Sequence, residues 1–473
     1  MRDLCAIAVD AAVGAGASYA DARGVFKRSQ SVATKNGNVE AVSDVETEGI
    51  GVRVLVGGAW GFAGAGTPSD ESAREAARRA CEFARAAGGG ARELAPLAPL
   101  APQTGTFGTR VEIDPFSISL DEKIDFCLDA EKGLARPEVK VAEAFARAQL
   151  ERRVLVSSEG TDVEQELVES GAGIDATAVG DGLSQQRSYP SAFGGLSAQA
   201  GWEFVLGLRL ADEAPRVGEQ AAALLQAPEC PAGVMDVVID AEQVALQLHE
   251  SVGHPTELDR VLGFEAAYAG TSFLHPSDCG SLRYGSEHMN VTSDPTTPLG
   301  LGTFAYDDEG VPAKPQRIVR EGLLVGWMGS REVGFPGSMR ADGWSRMPLV
   351  RMTNLHLEPG DMTLEELIAG VERGIYLETN KSWSIDDKRL NFQFGTQIAW
   401  EITDGRLGRM LRDATYTGIT PQFWGSMDAV GNSDSWRLHG LTNCGKGQPG
   451  QTAHVSHGTS PARFRGVQIG VHA

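Results

Sequence analysis

Three residues suited to metal-assisted hydrolysis lie close together in the segment HESVGHPTELD, residues 249–259. His249 and His254 each offer an imidazole nitrogen to a metal ion, and Glu250 offers a carboxylate beside the first histidine. In a common zinc-peptidase motif, two histidines four positions apart on one helix bind the metal, and the glutamate after the first is the general base. Here the two histidines are five positions apart, which changes their relative directions on a helix.

The residues ahead of the motif predict a helix that starts at Asp240, because an apolar stripe with four-residue spacing follows it. Each helical residue advances about 100°, so side chains five positions apart point about 140° apart on a straight α-helix. Gly253 favours a helix end, and Pro255 disfavours helical geometry in the residue before it. We therefore expect His249 on the last helical turn and His254 on the chain as it leaves the helix.

A catalytic zinc site needs a third protein ligand, because such sites have three protein ligands and one open position. Cys444, in the turn-rich segment TNCGKGQPGQ, is one candidate. Its thiolate would bind zinc well, and the glycines around it let the backbone come close to an ion. His454 and His457 are a second candidate, and carboxylates elsewhere are a third. The residues alone leave these alternatives open.

The patterns around these residues indicate an α+β protein with antiparallel strands concentrated in its last third. In the first stretch, an amphipathic helix is followed by strand-like segments, by a hairpin turn at Asn36-Gly37 and by a helix capped by Ser69. In the last third, short strands alternate with glycine turns, and a capping box predicts a helix from Thr363 to Gly374.

Changes in composition divide the chain into four parts. We predict an N-terminal α/β domain at 1–90 and a linker rich in glycine, alanine and proline at 91–110. A strand-rich middle domain is predicted at 111–227. The last part, 228–473, is predicted to be a C-terminal catalytic domain, mostly antiparallel β, that carries the metal-site helix.

The composition of the 473 residues excludes several classes of function. A formal net charge of −21 makes nucleic acid or an anionic membrane an unfavourable partner. No apolar run approaches the roughly 18 residues of a membrane span, and the first residues lack the pattern of a signal peptide. Six cysteines without motif spacing argue against a disulfide framework. We therefore expect a cytoplasmic protein with no membrane and no nucleic-acid partner.

Several segments resemble the TldD/PmbA family of metallopeptidases. HESVGHPTELD is similar to the HExxxH signature of the TldD-type members, and NCGKGQPGQ is similar to a segment near the family's C-terminus. The segments YADARG, GVRVLVGGAWGFAG, DDEGVPA, REGLLVGW and RMTNLHLEPGD also match the family pattern. The resemblance extends over nearly the whole chain and is specific when these segments are taken together.

The resemblance implies zinc as the cofactor, with His249, His254 and Cys444 as ligands and Glu250 as the catalytic base. Zinc would lower the pKa of its bound water and polarise the scissile carbonyl, while Glu250 would take the water proton and pass it to the leaving amine. The implied substrates are unfolded polypeptides or small peptides, modified ones included. The implied active form is a heterodimer with a relative that lacks the motif, or a homodimer where none is present.

Two other functions are compatible with the residues. Cys444 could be a nucleophile paired with a histidine, in a hydrolase that needs no metal. Alternatively, zinc could stabilise a non-catalytic binding subunit. Glu250 argues against the second alternative, because a structural site gives no reason for a carboxylate beside a ligand and is more often closed by a fourth cysteine or histidine.

Five further residues have open roles in the sequence. Glu257 and Asp259 could orient the ligands or lie in a solvated turn. Arg351 could hold substrate, although we favour the interpretation that it fixes a loop, and His454 and His457 are predicted to be strand residues near the site. Substrate and cleavage preference are not defined, because recognition of a peptide backbone by a sheet edge leaves few side-chain pockets.

Overall fold

The computed structural model describes residues 1–88 and 97–470. Helices form 22% of the structure and strands 43%, so the predicted α+β class, weighted toward strands, is confirmed. Among the helices described, none is both long enough and apolar enough to span a membrane.

The first half of the described chain builds one eight-stranded sheet. Its strands are β1 (Tyr19–Lys35), β2 (Asn38–Val56), β3 (Ala59–Ala65), β4 (Thr104–Gly108), β5 (Val139–Ser157), β6 (Asp162–Gly180), β7 (Leu183–Tyr189) and β8 (Leu196–Ala198). The spatial order is β3-β2-β1-β5-β6-β4, with β7 and β8 also paired to β6. Only β4 with β6 is a parallel pair among these strands.

Five helices pack on this sheet within the described residues: α1 (Arg2–Gly14), α2 (Asp70–Gly88), α3 (Leu120–Lys132), α4 (Trp202–Gly207) and α5 (Leu210–Leu224). Their contacts with the strands are made largely by alanine and valine. Small side chains bring helix and sheet close together: a Cβ atom at Gly61 on β3 would lie 2.0 Å from the Ala80 carbonyl oxygen on α2. The sheet is therefore covered tightly by helices that have little bulk on their inner faces.

The two predicted domains at 1–90 and 111–227 contribute to the same sheet, because β1 pairs with β5 along fifteen residue pairs, from Asp21↔Ser157 to Lys35↔Glu143. The predicted linker at 91–110 begins outside the described residues, at 91–96. Its last part contains β4, which pairs with β6. The segment that was expected only to connect two domains thus contributes a strand to the sheet that they share.

The second half contains three smaller sheets within the described residues. In the first, the order is β12-β11-β10-β15-β22-β21; β13 and β14 form the second; the third has the order β16-β9-β23-β19-β17-β18, with β20 against β23. The strands are β9 (Gly233–Ile239), β10 (Val291–Ser293), β11 (Gln316–Arg320), β12 (Leu323–Leu324), β13 (Met339–Arg340), β14 (Leu349–Val350), β15 (Asn354–Leu357), β16 (Arg373–Ile385), β17 (Asn391–Thr403), β18 (Arg406–Leu411), β19 (Thr415–Ile419), β20 (Met427–Val430), β21 (Arg437–Lys446), β22 (Gln451–Thr459) and β23 (Ala462–Ile469).

Four short α-helices belong to this half: α6 (Ala241–Leu248), α7 (Leu258–Val261), α8 (Leu364–Ala369) and α9 (Thr420–Gly425). The predicted helix from Thr363 starts as expected, with both bonds of its capping box to Glu366, but its predicted end at Gly374 is wrong. That residue lies in β16, where it pairs in parallel with Asp236 of β9. Sheet pairing therefore overrides the local helical pattern after Ala369.

Buried ion pairs join the two halves. Arg153 on β5 lies 2.7 Å from Asp308, and Arg53 on β2 lies 3.3 Å from Glu309. All four side chains are at least nine-tenths buried. Buried charges persist only when they are paired, so these contacts fix the large sheet against the second half, and both halves contribute to the pocket described next.

Candidate metal centre

The helix carrying the first histidine begins where the sequence predicts. The Asp240 carboxylate accepts a hydrogen bond from the Gln243 backbone N–H at 3.0 Å and caps α6. This helix is buried on every side, because it lies between strands of two sheets. Its position is therefore fixed by packing, and the residue that follows its last turn, His249, has a defined direction.

The expectation that His254 leaves the helix is wrong. After Leu248 the chain forms a π-helical turn, His249–Gly253, and then a 3₁₀ turn, His254–Thr256. His254 has helical angles, φ −59° and ψ −41°, and its N–H donates to the His249 carbonyl. A bond from residue i+5 to residue i closes a wider turn than in an α-helix, so side chains five positions apart come onto one face.

Gly253 does not end the helix as predicted but allows close packing. Its backbone is helical, and a Cβ atom there would lie 2.1 Å from the Met352 sulfur. Glycine is therefore required by close packing, because the π-helical turn runs directly against the chain just before β15. This contact holds the wide turn in place.

The structure brings His249, His254 and Cys444 together. Their donor atoms lie within 4.8 Å of one another, and all three residues are buried. The imidazole ring planes are nearly perpendicular, at 88°, and the Cys444 sulfur lies 3.8 Å from Nε2 of His254. Two nitrogens and one sulfur are a donor set that zinc prefers, and three ligands leave the fourth tetrahedral position open. The residues present therefore fit a zinc ion.

Cys444 is electrostatically suited to bind a cation. Burial opposes ionisation of its thiol, but His249, Arg351 and His254 outweigh this effect and hold the pKa well below its usual value. A thiolate is the form that binds metals. Burial also disfavours charge on His254, yet Cys444 and Glu257 raise the pKa of this imidazole to about 9, so a metal ion would displace a proton on binding.

A β-bulge directs Cys444 toward the histidines. Strand β21 pairs with β22 as Cys444↔Ala453, and the register shifts between Leu441 and Cys444. Arg351 donates to the Cys444 carbonyl and, at 3.4 Å, to the Gln451 carbonyl. It thereby fixes the β21–β22 hairpin, in agreement with the interpretation favoured from the sequence.

His254 is oriented by a buried ionic cluster. Its Nδ1 lies 2.9 Å from a Glu257 carboxylate oxygen, and the Lys446 ammonium lies 3.2 Å from that carboxylate, 2.8 Å from Asp259 and 3.4 Å from Glu265. Glu257 is fully buried, so the alternative of a solvated turn is wrong for it. Because Nδ1–H donates to the carboxylate, Nε2 is the nitrogen that a metal ion would bind, in place of the proton there.

His249 is oriented by a neutral chain of hydrogen bonds. Nδ1 of His457 lies 3.2 Å from the Leu355 carbonyl, which can only accept, so this nitrogen carries the proton. Nε2 of His457 is then an acceptor for Nδ1–H of His249, at 2.7 Å. His249 thus also keeps its Nε2 lone pair for a metal. The sequence predicted that His457 lies near the site, and this hydrogen bond gives it a specific role.

His454 does not join the centre. It pairs with Glu169 of β6, with 2.5 Å between Nδ1 and the carboxylate oxygen. On an alternating strand, residues 454 and 457 point to opposite faces, so only His457 reaches His249. The alternative of a histidine pair as the third ligand is therefore not supported by the geometry.

Glu250 is beside the first ligand and contacts a residue that the sequence did not single out. Arg389, in the loop between β16 and β17, donates to a Glu250 carboxylate oxygen. Burial of Glu250 raises its pKa, but Arg389, His249 and His254 outweigh burial and hold the pKa below its usual value. Glu250 is therefore an ionised carboxylate, which is the form that can accept a proton. No local pattern marks Arg389, which is 139 residues away in sequence.

A pocket of about 200 Å³ adjoins these residues. Its lining comes from both halves of the molecule: Ser191, Ala192, Phe193, Glu242, Ala245, Leu246, His249, Glu250, His254, Asn380, Trp383, Arg389, His439, Leu441, Asn443, Cys444 and Gly445. His439 is notable among them, because both of its ring nitrogens are buried without a hydrogen-bond partner among residues 1–88 and 97–470. Buried polar groups are normally paired, so His439 has hydrogen-bonding capacity to offer to a molecule in the pocket.

Comparisons with known proteins identify the family. Profiles described as PmbA/TldA metallopeptidase domain 1, central domain and C-terminal domain match residues 20–84, 113–227 and 232–471. The chain is 29% identical over 446 residues to Metalloprotease MJ0996 of Methanocaldococcus jannaschii, covering 93% of this chain and 94% of the relative. It is 30% identical over 460 residues to a metalloprotease of Methanothermobacter thermautotrophicus, covering 96% and 95%.

Two further comparisons concern the metal and the fold. Over 246 residues, 50% of this chain and 52% of the relative, the chain is 27% identical to a protein of Saccharolobus solfataricus named zinc metalloprotease TldD homolog. The crystal structure of TldE from Thermococcus kodakarensis superposes with a TM-score of 0.73 at 16% identity and covers 99% of each chain. At this identity the second similarity is one of fold.

Proposed function

This chain belongs to the PmbA/TldD family of metallopeptidases, and on that premise we propose that it is a zinc-dependent peptidase acting on unfolded polypeptides or small peptides, modified ones included. One observation carries the proposal: two histidines and a cysteine converge in a buried cluster beside an ionised carboxylate, on the wall of a pocket. A relative named as a zinc metalloprotease supports the choice of ion.

In this proposal His249, His254 and Cys444 hold the zinc ion, which supplies Lewis acidity that acidifies a water molecule and polarises the scissile carbonyl. Glu257 and His457 keep the two imidazoles in the tautomer that binds metal. Each ligand therefore has its own support: a carboxylate for His254, an imidazole for His249, and the fixed hairpin for the thiolate.

Glu250 is proposed to accept a proton from water at its carboxylate and to pass it to the leaving amine. Arg389 donates to one carboxylate oxygen and so restricts the rotation of the side chain. His439, with two free ring nitrogens, is proposed to hydrogen-bond the peptide backbone in the pocket. His439→Ala should lower kcat/KM while zinc content and fold are retained.

One observation favours a second function, a metal-free cysteine hydrolase: the pKa of the Cys444 thiol is well below its usual value. A nucleophilic cysteine needs one histidine as base, whereas here two imidazoles lie beside the thiol, and each is oriented by a hydrogen bond at Nδ1. That arrangement favours the metal. Activity that persists in a strong chelator and is abolished by a thiol alkylator would establish the cysteine mechanism instead.

Two variants test the zinc proposal. Purified protein should contain about one zinc ion per chain, and Cys444→Ala should lose it, while the control Cys279→Ala, away from the pocket, should keep it. Glu250→Gln should keep zinc and fold yet abolish peptide cleavage. Turnover that is unchanged in Glu250→Gln would contradict the mechanism, and zinc-dependent folding without any turnover in the native chain would favour the binding-subunit alternative.

We also propose that the chain works as a dimer, with a motif-lacking relative or with a second copy. Residues 38–48 of β2 pair with β1 on one side, and within the described chain no strand covers their other side, because β3 pairs only beyond residue 49. Val39, Val42 and Val45 are exposed there. An uncovered strand with exposed apolar residues is a surface on which another chain can add a strand.

Sizing of native and variant protein tests the dimer. Val42→Lys should shift the protein to the mass of one chain, whereas Val179→Lys, at an exposed valine of β6, should not. Full activity at the mass of one free chain would contradict the proposal. The proposed compartment is the cytoplasm, which suits six cysteines that are all free thiols.

A further inference from the structure

Two exposed aromatic residues flank the proposed catalytic pocket. Phe193 and Trp383 are 50% and 39% exposed, and both line the pocket that contains Glu250. Their rings meet edge to face, with centroids 5.1 Å apart. Phe193 comes from the loop between β7 and β8 in the first half, and Trp383 comes from β16 in the second half. The contact therefore bridges the two halves of the molecule at the pocket.

The loop carrying Phe193 is held at both ends by charged side chains, of which Glu242 is buried. On one side, the Glu242 carboxylate of α6 accepts hydrogen bonds from the Ser191 hydroxyl and the Ala192 N–H, both at 2.8 Å. On the other side, Arg147 of β5 donates to the Gly194 carbonyl. Because α6 also leads into the π-helical turn, the loop is fixed relative to the proposed zinc ligands.

The backbone at Phe193 is in an unfavourable conformation. Its φ is +51°, in the left-handed region that bulky residues rarely adopt. Two glycines with positive φ follow, and a Cβ atom at Gly195 would lie 2.2 Å from the Ala172 carbonyl oxygen. Strain of this kind persists only where the surrounding structure enforces it, and it clusters at functional sites. Here the strained backbone places the Phe193 ring partly in solvent, where burial contributes little to stability.

The pocket has an apolar component beside its charged and polar groups. Ala245, Leu246 and Leu441 line it together with the two aromatic rings, whereas Glu242, Glu250 and Arg389 are among its charged lining residues. The apolar members offer contact area to a large apolar side chain. Trp383 and Glu250 line the same pocket. A side chain bound against Trp383 would therefore lie next to the proposed base.

We propose that Phe193 and Trp383 form a side-chain subsite that selects peptides with a large apolar residue, aromatic or aliphatic, beside the bond that is cleaved. This subsite deepens the proposed peptidase function and rests on it. Aromatic faces bind such side chains through contact area and edge-to-face packing. The loop anchors hold Phe193 in its binding position before a peptide arrives, which reduces the ordering cost of binding.

The test compares two short peptides of glycine and serine that differ at one central position, phenylalanine in one and serine in the other. The native protein should cleave the first at a bond beside phenylalanine, with kcat/KM about tenfold or more above the second. Phe193→Ala should lose most of this preference, because kcat/KM should fall much further on the phenylalanine peptide than on the serine peptide. Phe193→Tyr should keep the preference, and Phe83→Ala, at an exposed phenylalanine of α2, should behave as native.

A binding measurement separates failure of the subsite from failure of the peptidase proposal. In zinc-loaded Glu250→Gln protein, the phenylalanine peptide should bind more tightly than the serine peptide, and adding Phe193→Ala should remove the difference. Selective binding without turnover in the native protein would support the subsite and contradict the peptidase proposal. Equal losses on both peptides, or an unchanged preference in Phe193→Ala, would overturn the subsite while the peptidase proposal stands.

Discussion

The two histidines of the candidate metal centre are oriented by hydrogen bonds of different kinds, one to a charged group and one to a neutral group. His254 donates to Glu257, whose carboxylate pairs with Lys446 in a fully buried ionic cluster. His249 donates to His457, a neutral imidazole whose own N–H ends on a backbone carbonyl. We call these the ionic support and the neutral support. Both fix the same imidazole tautomer, so the same geometric result is reached with and without charge.

The two supports differ in the free-energy cost of burying their groups. In the ionic support, burial raises the pKa of Asp259 and Glu265, whereas Lys446 and His254 outweigh burial and hold the pKa of Glu257 below its usual value. Such a cluster stands only while every charge has a partner. The neutral support buries no net charge, but it fails if its imidazoles become protonated. The ionic support is thus sensitive to mutation, and the neutral support is sensitive to acid.

The largest expected effect comes from Lys446→Met, which leaves three buried carboxylates without their shared cation. Breaking a buried ion pair by removing one partner destabilises a fold by about 3–5 kcal/mol, and urea unfolding should show a loss of this order. The control Lys381→Met removes an ion pair with Asp413 whose side chains are 31% and 34% exposed, where about 0–1 kcal/mol is expected. An equal loss of unfolding free energy in the two variants would contradict the claim that burial makes the Lys446 cluster the more important one.

The second effect concerns zinc affinity through the ionic support. Glu257→Ala removes the acceptor that orients His254, and changes of this kind typically weaken metal binding about 10–100-fold. Competition with a chelator of known affinity measures the change. Glu257→Gln, which keeps a neutral acceptor oxygen, should lose less. Native affinity in Glu257→Ala would show that packing alone orients His254.

A smaller effect is expected from the neutral support. His457→Leu removes the acceptor of the His249 N–H, and the same competition assay should show a loss of about tenfold or less. The loss should be smaller than in Glu257→Ala, because a neutral acceptor binds an N–H more weakly than a carboxylate does. A larger loss of zinc affinity in His457→Leu than in Glu257→Ala would show that the neutral support contributes more than the ionic support.

The smallest effect is a pH dependence on the neutral side. Burial lowers the pKa of His356 to about 4, and its Nδ1 accepts from the N–H of Gly458, the residue after His457. The unfolded chain, with a histidine pKa of about 6.5, binds more protons between pH 6.5 and 4, so stability is lost as pH falls through this window. Between pH 7 and 5.5 this histidine should account for about 1 kcal/mol.

His356→Asn tests this dependence in the zinc-free protein, because asparagine keeps an acceptor for the Gly458 N–H and does not titrate. Urea unfolding at the two pH values should show a smaller loss in the variant than in the native chain. Parallel losses in both proteins would assign the acid sensitivity to other groups. Using zinc-free protein avoids the separate effect of protons competing for the ligands.

Local signals in the sequence predicted those parts of the fold that are fixed by neighbouring residues. The Asn36-Gly37 turn joins β1 and β2, and Asp240 and Thr363 cap the helices predicted to begin there. Each depends on bonds between residues a few positions apart, so a short stretch of sequence contains all the residues that define the turn or the cap. The helix expected to continue to Gly374 ends early because Gly374 pairs in parallel with Asp236, 138 residues away in sequence. Nothing in the helical segment itself indicates this pairing.

For the candidate site, the residue types and the family resemblance together named His249, Glu250, His254 and Cys444, and the fold brings them to one pocket. Their assignment as zinc ligands and base stays a prediction until metal and activity are measured. The proposed zinc-peptidase chemistry follows from residue type, because imidazole, thiolate and carboxylate have intrinsic affinities for metal ions and protons. In that sense the sequence alone determined the candidate chemistry.

The tertiary structure decided how those groups are oriented. The π-helical turn that brings His254 over His249, the Arg389 contact to Glu250 and the placement of Phe193 all depend on contacts between residues 47 or more positions apart in sequence. Such contacts arise from packing and from the need to pair buried charges, and neither leaves a periodic or local pattern in the chain. Residue type therefore sets what this site can bind, while long-range packing sets the direction of every group within it.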